Sequence, residues 1–202
     1  MLVCTPSPKS TESLFGFVLR VSETNGYNSP RSVLNYAGYG PGEMRSAVFD
    51  VNRLAKVLGR KPYELKKIAY LIDDNGSRIF KVLNHELGKT LPKEFLRLKT
   101  PVLCPQCVQD QGFIDVFGDL YYAIACPKHQ CQLLRVCPSC RQSLHWLRPG
   151  LLVCRCGADL VEKEPKSEDI CIVELMAILK AKLHGHSIAT LPNKMNYPLK
   201  EI

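Results

Sequence analysis

The sequence predicts an α+β protein made of small modules: an N-terminal helical domain, two cysteine-rich modules of ribbon or treble-clef type, and a C-terminal helix. Three observations favour this fold class. Residues 10–99 contain no cysteine but carry helix-starting and helix-ending residues, eight of the ten cysteines fall between Cys104 and Cys156, and apolar residues recur at helical spacing after residue 167. We therefore divide the 202 residues into a helix-turn-helix domain (10–99), a first module (100–134), a second module (135–162), an amphipathic helix (167–184) and a tail (185–202).

The N-terminal region predicts short helices separated by glycines. Residues 10–12 indicate the start of a first helix, and Gly26 indicates its end. Ser29 and Pro30 suit the cap and the first position of a second helix, which ends at Gly38. The first helix carries an apolar stripe of Leu14, Phe15, Val18 and Val21.

Residues 50–71 carry the clearest helix-turn-helix pattern. Asp50 can cap a first helix that Gly59 ends, and Pro62 can open a second helix. A plain αα-hairpin whose lysines are solvated or face a protein would give the same pattern. Residues 73–99 predict loops around one or two short helices. The candidates for contact with DNA or a protein partner are the outward residues of the second helix, Tyr63, Lys66, Lys67 and Tyr70.

The meaning of the cysteines depends on the expected compartment. The first ten residues contain no apolar segment of a secretory signal, and no stretch approaches the roughly 18 apolar residues of a membrane span. We therefore expect a cytosolic protein that has no membrane partner. In a reducing compartment, clustered Cys-x-x-Cys pairs indicate metal binding rather than disulfides.

Two successive Cys/His patterns predict two zinc sites. Two residues between thiolates let one tight turn direct both sulfurs at a metal, and a second such turn completes a tetrahedron. The intervening residues 113–122 and 144–153 are rich in β-branched and aromatic residues, which favours strands. Four protein ligands leave no open position, so both Zn²⁺ ions are expected to be structural. The predicted ligands are Cys104, Cys107, Cys126 and His129 for the first ion, and Cys137, Cys140, Cys154 and Cys156 for the second.

Two features of these patterns depart from two regular Cys-x-x-Cys or Cys-x-x-His pairs per site. Cys131 lies two residues after His129 and could replace it as the fourth ligand or stay a buried thiol. We favour His129 because Cys-x-x-His repeats the spacing of the first pair. Cys154 and Cys156 are separated by one residue only, and Gly157 supplies the conformational freedom that a compressed turn needs.

The net charge and the absence of enzyme motifs limit the functions that the sequence predicts. The formal charge of +8 falls to about +5 if seven thiolates and one neutral histidine bind two Zn²⁺ ions. Nucleic acid is the commonest partner of such a surface, although a solvated basic surface without a ligand has the same charge. The sequence lacks the motifs of zinc deaminases, zinc peptidases, phosphate-binding loops and serine hydrolases. It therefore predicts no enzyme activity and no small-molecule substrate.

The C-terminal segment predicts one amphipathic helix followed by a tail without clear periodicity. Ser167 suits the cap, and Glu168 and Asp169 suit the positive end of the helix dipole. This helix carries an apolar stripe that is expected to pack against a core. The stripe consists of Ile172, Val173, Met176, Leu179 and Leu183.

The order of these features resembles the TniQ family, the target-selection adaptors of transposons, which includes the N-terminal part of the selector TnsD. The resemblance spans about residues 10–160, and the paired zinc pattern is its most specific part. The matching residues are Glu12, Ser13, Leu14 and Arg20, the helix-turn-helix at 54–70, Leu103, Leu134, both ligand sets, and Gly157, Ala158, Asp159 and Leu160.

The resemblance implies a non-enzymatic adaptor. Proteins of this family mark a target site and engage TnsC, the AAA+ ATPase that assembles on DNA and recruits the transposase. Some relatives find the site by binding DNA, and others join a CRISPR RNA-guided complex. Selectors such as TnsD carry a long additional DNA-reading region, so a chain that stops at Ile202 is expected to act as an adaptor rather than to read a long DNA site by itself.

Two other functions fit parts of the sequence. A transcriptional regulator with a helix-turn-helix and a zinc-ribbon extension would usually dimerise on paired half-sites. A general binder of RNA or single-stranded DNA would need aromatic side chains interleaved with basic residues. Only Tyr121, Tyr122 and Trp146 are available for stacking, and they have few basic neighbours along the chain.

Overall fold

A computed structural model describes residues 2–40, 43–74, 77–90, 95–161 and 165–186, with the side chains of residues 45, 73, 74 and 77 left aside. The chain mixes helices and strands, as predicted. Within these ranges, none of the helices has the length and apolar character that a membrane crossing requires. Residues 187–202, which make up most of the predicted tail, lie outside the described residues.

Up to residue 66, the secondary-structure elements in the described part of the chain are all helices. Helix α1 spans Leu14–Thr24, α2 spans Arg31–Tyr36, α3 spans Val51–Leu58 and α4 spans Pro62–Lys66, with a 3-10 turn at Glu43–Arg45 before α3. Helix α1 begins later than predicted because the Ser13 side chain caps it by accepting a hydrogen bond from the Gly16 N–H. The residues before Ser13 are held by pairing with the chain near Asp115.

Helices α3 and α4 pack together across a tight turn. The Asp50 carboxylate caps α3 by accepting a 3.0 Å hydrogen bond from the Asn52 N–H. Gly59 ends α3 with a φ of +62°, in the left-handed region that favours glycine. Pro62 occupies the first turn of α4, where its missing N–H costs nothing. Local capping signals in the sequence therefore predict both ends of this turn.

The chain leaves α4 early and enters a sheet that was not predicted from the sequence. Strands β1 (Leu71–Asp74), β2 (Ser77–Val82) and β3 (His85–Gly88) form an antiparallel sheet in that order. The prediction of loops and short helices in residues 73–99 was therefore wrong. In β2, Phe80 and Val82 are buried with the partly exposed Lys81 between them, the alternation typical of a strand.

The cysteine-rich region has less regular structure than predicted. It contains α5 (Pro105–Gln111), a 3-10 turn (Val116–Asp119), and the short strands β4 (Ala125–Cys126) and β5 (Cys131–Gln132). Neither predicted strand forms: residues 113–122 contain the 3-10 turn, and residues 144–153 fold as a loop around Arg148. The buried Arg148 guanidinium donates to three carbonyls of its own loop, which replaces strand pairing.

The last described helix, α6, spans Ile170–Leu183. Its cap is Asp169 rather than the predicted Ser167, because the Asp169 carboxylate accepts a 2.8 Å hydrogen bond from the Cys171 N–H. Ser167 instead pairs with Cys131 through an isolated bridge. At the other end of α6, Lys180 Nζ and His184 Nε2 lie 3.3 and 3.1 Å from the carboxylate of Asp115.

One apolar core joins these parts. The Phe15 ring lies at its centre, with its centroid 5.7 Å from those of Phe49, Tyr70 and Trp146. The Trp146 Nε1–H also donates a 3.0 Å hydrogen bond to the Leu98 carbonyl. Since Trp146 belongs to the cysteine-rich region and Phe15 to α1, this core holds the clustered cysteines against the helical part of the chain.

Candidate metal centres

The first candidate centre lies between α5 and the β4–β5 hairpin. Cys104 is the N-cap of α5 and Cys107 lies in its first turn. Cys126 ends β4, and His129 follows in the hairpin turn. The donor atoms of these four residues all lie within 4.8 Å of one another. Two elements distant in sequence thus supply two donors each.

The spacing of these donors suits a tetrahedral ion. His129 Nδ1 lies 3.3 Å from the sulfurs of both Cys104 and Cys107 and 3.6 Å from that of Cys126. The Cys107 and Cys126 sulfurs are 3.4 Å apart. Tetrahedral Zn²⁺ with Zn–S bonds of about 2.3 Å needs donors roughly 3.5–3.8 Å apart. Without an ion, hydrogen bonds from the Cys104 and Cys107 thiols lower the pKa of Cys126, and the same bonds to Cys126 contribute to raising the pKa values of Cys104 and Cys107.

A carboxylate orients the histidine of this centre. Asp110 Oδ2 lies 3.3 Å from His129 Nε2, on the side of the ring away from the sulfurs, and Lys128 also pairs with Asp110. A metal-bound histidine usually donates its second ring N–H to such a carboxylate, which selects the tautomer. Asp110 was not among the residues predicted from the sequence. Its position three residues after Cys107 places it on the same side of α5, so a prediction of that helix would have found it.

Cys131 lies directly beside the first centre without belonging to its group of four. It is 1% exposed, and its sulfur is 3.9 Å from that of Cys104. Antiparallel pairing of β4 with β5 sets Cys131 opposite Cys126, so both side chains lie on the same face of the hairpin. The geometry groups His129 with the three cysteines, and the choice of His129 over Cys131 as ligand stays a prediction.

The second candidate centre consists of cysteines alone. Cys137, Cys140, Cys154 and Cys156 form the second group within 4.8 Å. The Cys137 and Cys156 sulfurs are 3.8 Å apart, and those of Cys140 and Cys154 are 3.9 Å apart. These separations also match a tetrahedron of thiolates around Zn²⁺.

Two tight backbone turns build the second centre. The Arg141 N–H donates to the Cys137 carbonyl, and the Gly157 N–H donates to the Cys154 carbonyl. Gly157 has a φ of +85°, which gives the compressed Cys154-x-Cys156 turn the left-handed residue that it was expected to need. An isolated bridge flanks each turn, Val136 with Ser143 and Val153 with Asp159. Each turn therefore sits at the end of a minimal hairpin.

The two groups can each hold one metal ion with protein atoms alone. Four donors complete a tetrahedral shell and leave no position for a water, which is the arrangement of structural zinc and not of catalytic zinc. The first group is largely buried, whereas Cys156 of the second group is exposed. Sulfur and imidazole donors favour Zn²⁺ among the common divalent ions.

Comparison with known proteins places the chain in a family. The TniQ family model matches residues 3–133, well over half of the 202 residues. The chain belongs to the TniQ family. TniQ proteins are transposition-associated adaptors that act in target selection, generally with DNA and TnsC as partners. No curated protein matches this TniQ chain.

The matched segment covers part of the candidate sites. It includes α1–α5, the β1–β3 sheet and the whole first group of metal donors. The second group, which begins at Cys137, and helix α6 lie beyond the match. The family assignment therefore rests on the helical part and the first centre.

The predicted contact residues on α4 do not share one surface. Tyr63 is 58% exposed, Lys66 and Lys67 are exposed, and Lys67 Nζ lies 5.9 Å from the centre of the Tyr63 ring. Tyr70 is 1% exposed, so its prediction as an outward residue was wrong. Helix α4 ends at Lys66, and the chain beyond it turns inward before β1, which directs the Tyr70 ring into the core.

Proposed function

We propose that this TniQ protein is a non-enzymatic adaptor in DNA transposition. It links target-site recognition, by a DNA-bound selector or a CRISPR RNA-guided complex, to a TnsC-like AAA+ ATPase, which in turn recruits the transposase. The match of the TniQ model to residues 3–133 is the observation that carries this proposal. Two groups of four metal donors support it, because complete ligand shells suit zinc that stabilises a binding surface rather than zinc that performs chemistry.

The exposed face of α4 is the proposed contact with the ATPase. Leu65 is 0% exposed and anchors the helix, while Tyr63, Lys66 and Lys67 point away from the core. Tyrosines often anchor protein interfaces, and lysines beside them can meet an acidic patch or DNA held by the partner. A rigid, anchored helix presents these side chains with little loss of conformational entropy on binding.

Direct DNA binding by this face is proposed to be weak. A helix of five residues is only about 7 Å long, too short to place several side chains along a major groove. With a net charge near +5 after metal binding, contact with DNA would depend on phosphates and fall steeply as salt rises. A transcriptional regulator, the alternative function, would instead bind its own site tightly at physiological salt.

The adaptor proposal is tested by co-sedimentation with a TnsC-like ATPase assembled on DNA with nucleotide. We expect the wild-type protein to sediment with the filament and the double variant Tyr63→Ala/Lys67→Ala to lose most of this binding. The matched control is Tyr36→Ala/Lys56→Ala, which removes an exposed tyrosine (54% exposed) and an exposed lysine from α2 and α3. Zinc content and thermal stability should stay unchanged in both variants.

Two results would count against these assignments. Normal sedimentation of the Tyr63→Ala/Lys67→Ala variant would place the ATPase contact elsewhere, with the metal centres as the next candidates. Absence of any affinity between the wild-type protein and such an ATPase, together with tight binding to a palindromic DNA site, would replace the adaptor function with the regulator function.

A further inference from the structure

Three large aromatic side chains lie together on the surface, two of them shortly before Cys126 in the chain and the third in the segment that pairs with the chain near residue 120. Phe95, Tyr121 and Tyr122 are 48%, 55% and 57% exposed. The ring of Tyr122 lies 6.2 Å from that of Phe95 and 6.0 Å from that of Tyr121, both edge to face. Such a group of exposed rings on one surface is uncommon and marks an interaction site. We call these three residues the aromatic face.

The aromatic face has a rigid base. Leu96 and Leu120 form an antiparallel bridge between the two segments that carry the rings. On either side of it, the Tyr121 N–H donates a 2.8 Å hydrogen bond to the Phe95 carbonyl, and the Arg97 N–H donates a 2.7 Å bond to the Asp119 carbonyl. Leu96 is only 7% exposed, so its burial anchors the pairing. The backbone segments that carry the rings are therefore held together before any ligand binds.

Cations border the aromatic face. The Arg97 guanidinium lies 5.2 Å from the centre of the Tyr121 ring and donates to the Tyr121 carbonyl. Burial, and secondly the charge of Arg135, lower the pKa of Arg97. Arg135 and Lys99 are exposed. Within residues 95–99 and 119–124, the one carboxylate is Asp119, which is 1% exposed.

A groove lies next to the tyrosines along the chain. Its lining includes Ile124, Arg135 and Val136 together with Lys166, and Ile124 lies two residues after Tyr122 in the chain. Glu168 is an acidic residue on the same lining. Two cations and one carboxylate thus line this groove, and one of the cations is Arg135.

We propose that the aromatic face binds single-stranded nucleic acid, with bases stacked on Tyr121, Tyr122 and Phe95 and phosphates beside Arg97 and Arg135. Stacking on exposed rings tolerates any base, because every base has a π face, and the bordering cations match the charge of the backbone. A duplex would offer only its phosphates, since its bases are already stacked on one another. This site is separate from α4, and it does not depend on binding to an ATPase.

The test uses the zinc-loaded full chain and fluorescein-labelled oligonucleotides. Single-stranded oligo(dT) and oligo(rU) of about 20 nucleotides exceed the roughly 4–16 nucleotides that one such groove covers. We expect both to bind more tightly than a duplex of the same length when followed by fluorescence anisotropy at low salt. The double variant Tyr121→Ala/Tyr122→Ala should lose at least about ten-fold in affinity, because each stacked base contributes about 1–3 kcal/mol.

Two matched variants separate stacking from folding. Tyr121→Phe/Tyr122→Phe keeps both rings and should bind single strands as the wild type does. Tyr36→Ala removes a comparably exposed tyrosine, 54% exposed, from α2 and should also bind normally. Zinc content and melting temperature confirm that the alanine variant is folded.

Three outcomes would overturn the proposal: no binding of either single strand by the wild-type protein, tighter binding of the duplex, or unchanged binding by the alanine variant. In the last case the rings would have to serve a protein partner. Tighter binding of oligo(rU) than oligo(dT) would support the proposal and point to RNA as the ligand, and the opposite order would point to single-stranded DNA.

Discussion

The Tyr70 hydroxyl donates a 2.5 Å hydrogen bond to the carboxylate of Asp119, a residue 49 positions further along the chain. Both side chains are 1% exposed, and the Ser13 hydroxyl lies 3.4 Å from the same tyrosine oxygen. This contact ties the end of the helical part to the region that carries the first metal centre. Burial raises the pKa of Asp119 to about 7, and the bond from Tyr70 opposes that rise.

Removal of the Tyr70 hydroxyl should destabilise the protein. In Tyr70→Phe the buried Asp119 carboxyl keeps its hydrogen bond with the Ser13 side chain but loses the one from Tyr70, so we expect the free energy of unfolding to fall by about 1–3 kcal/mol. Tyr63→Phe removes the hydroxyl of an exposed tyrosine and should change it by less than about 0.5 kcal/mol. Urea unfolding of the zinc-loaded proteins measures both. Equal effects of the two substitutions would contradict the buried position of Tyr70.

Asp119 should make stability depend on pH. The carboxyl has a pKa of about 7 in the folded protein and about 3.9 in the unfolded chain. Between these values the folded state holds a proton that the unfolded state has lost, so the free energy of unfolding decreases as the pH rises. Relative to that of Asp119→Asn, the free energy of unfolding of the wild type should fall by up to about 1.4 kcal/mol per pH unit from about pH 5 to 7. Above about pH 7 the difference between the two proteins should stay constant.

The comparison with Asp119→Asn is made at each pH. Acid also releases zinc from thiolates, and this effect is common to both proteins, so it cancels in the difference. Asparagine keeps an oxygen that can accept the Tyr70 hydrogen bond, which leaves the network intact. A difference between the two proteins that stays constant from about pH 5 to 8 would mean that Asp119 does not titrate in this range.

Each four-donor group should bind one zinc ion. We expect elemental analysis of the purified protein to find about two zinc ions per chain, and Cys107→Ser or Cys140→Ser to lose one of them. Structural zinc contributes its binding free energy to folding, so both variants should also melt at lower temperature. Cys171→Ser, which changes an exposed cysteine on α6, is the control and should keep both ions. A folded wild-type protein with one zinc or none would refute the assignment.

The fourth ligand of the first centre should be His129 and not Cys131. Cys131→Ser should keep full zinc content, whereas His129→Ala should lose close to one equivalent. The reason is that His129 belongs to the group of four donors and Cys131 does not. Titration with a chromogenic chelator measures the bound zinc in each variant. The reverse result would show that Cys131, whose sulfur is 3.9 Å from that of Cys104, completes the shell instead.

Local patterns in the sequence were enough to predict several features. The Asp50 cap and the Gly59 turn form where capping rules place them, because each depends on hydrogen bonds within a few residues. The two donor groups also contain the predicted residues, since the short spacing between paired ligands restricts them to one tight turn. The TniQ resemblance, which rested on these patterns, was confirmed by the family match.

Other features depended on how distant segments pack. Sequence periodicity placed Tyr70 on an outer helix face, but α4 ends at Lys66 and the ring packs against Phe15 in the core. Nothing near Tyr121 in sequence indicated a basic neighbour, yet antiparallel pairing around Leu96 brings Arg97 onto its ring. The sequence by itself thus determined the metal donors, the capped turn and the family, because those depend on local geometry. Only the tertiary structure decided which rings face water, because the burial of a side chain is set by the segments that pack on it.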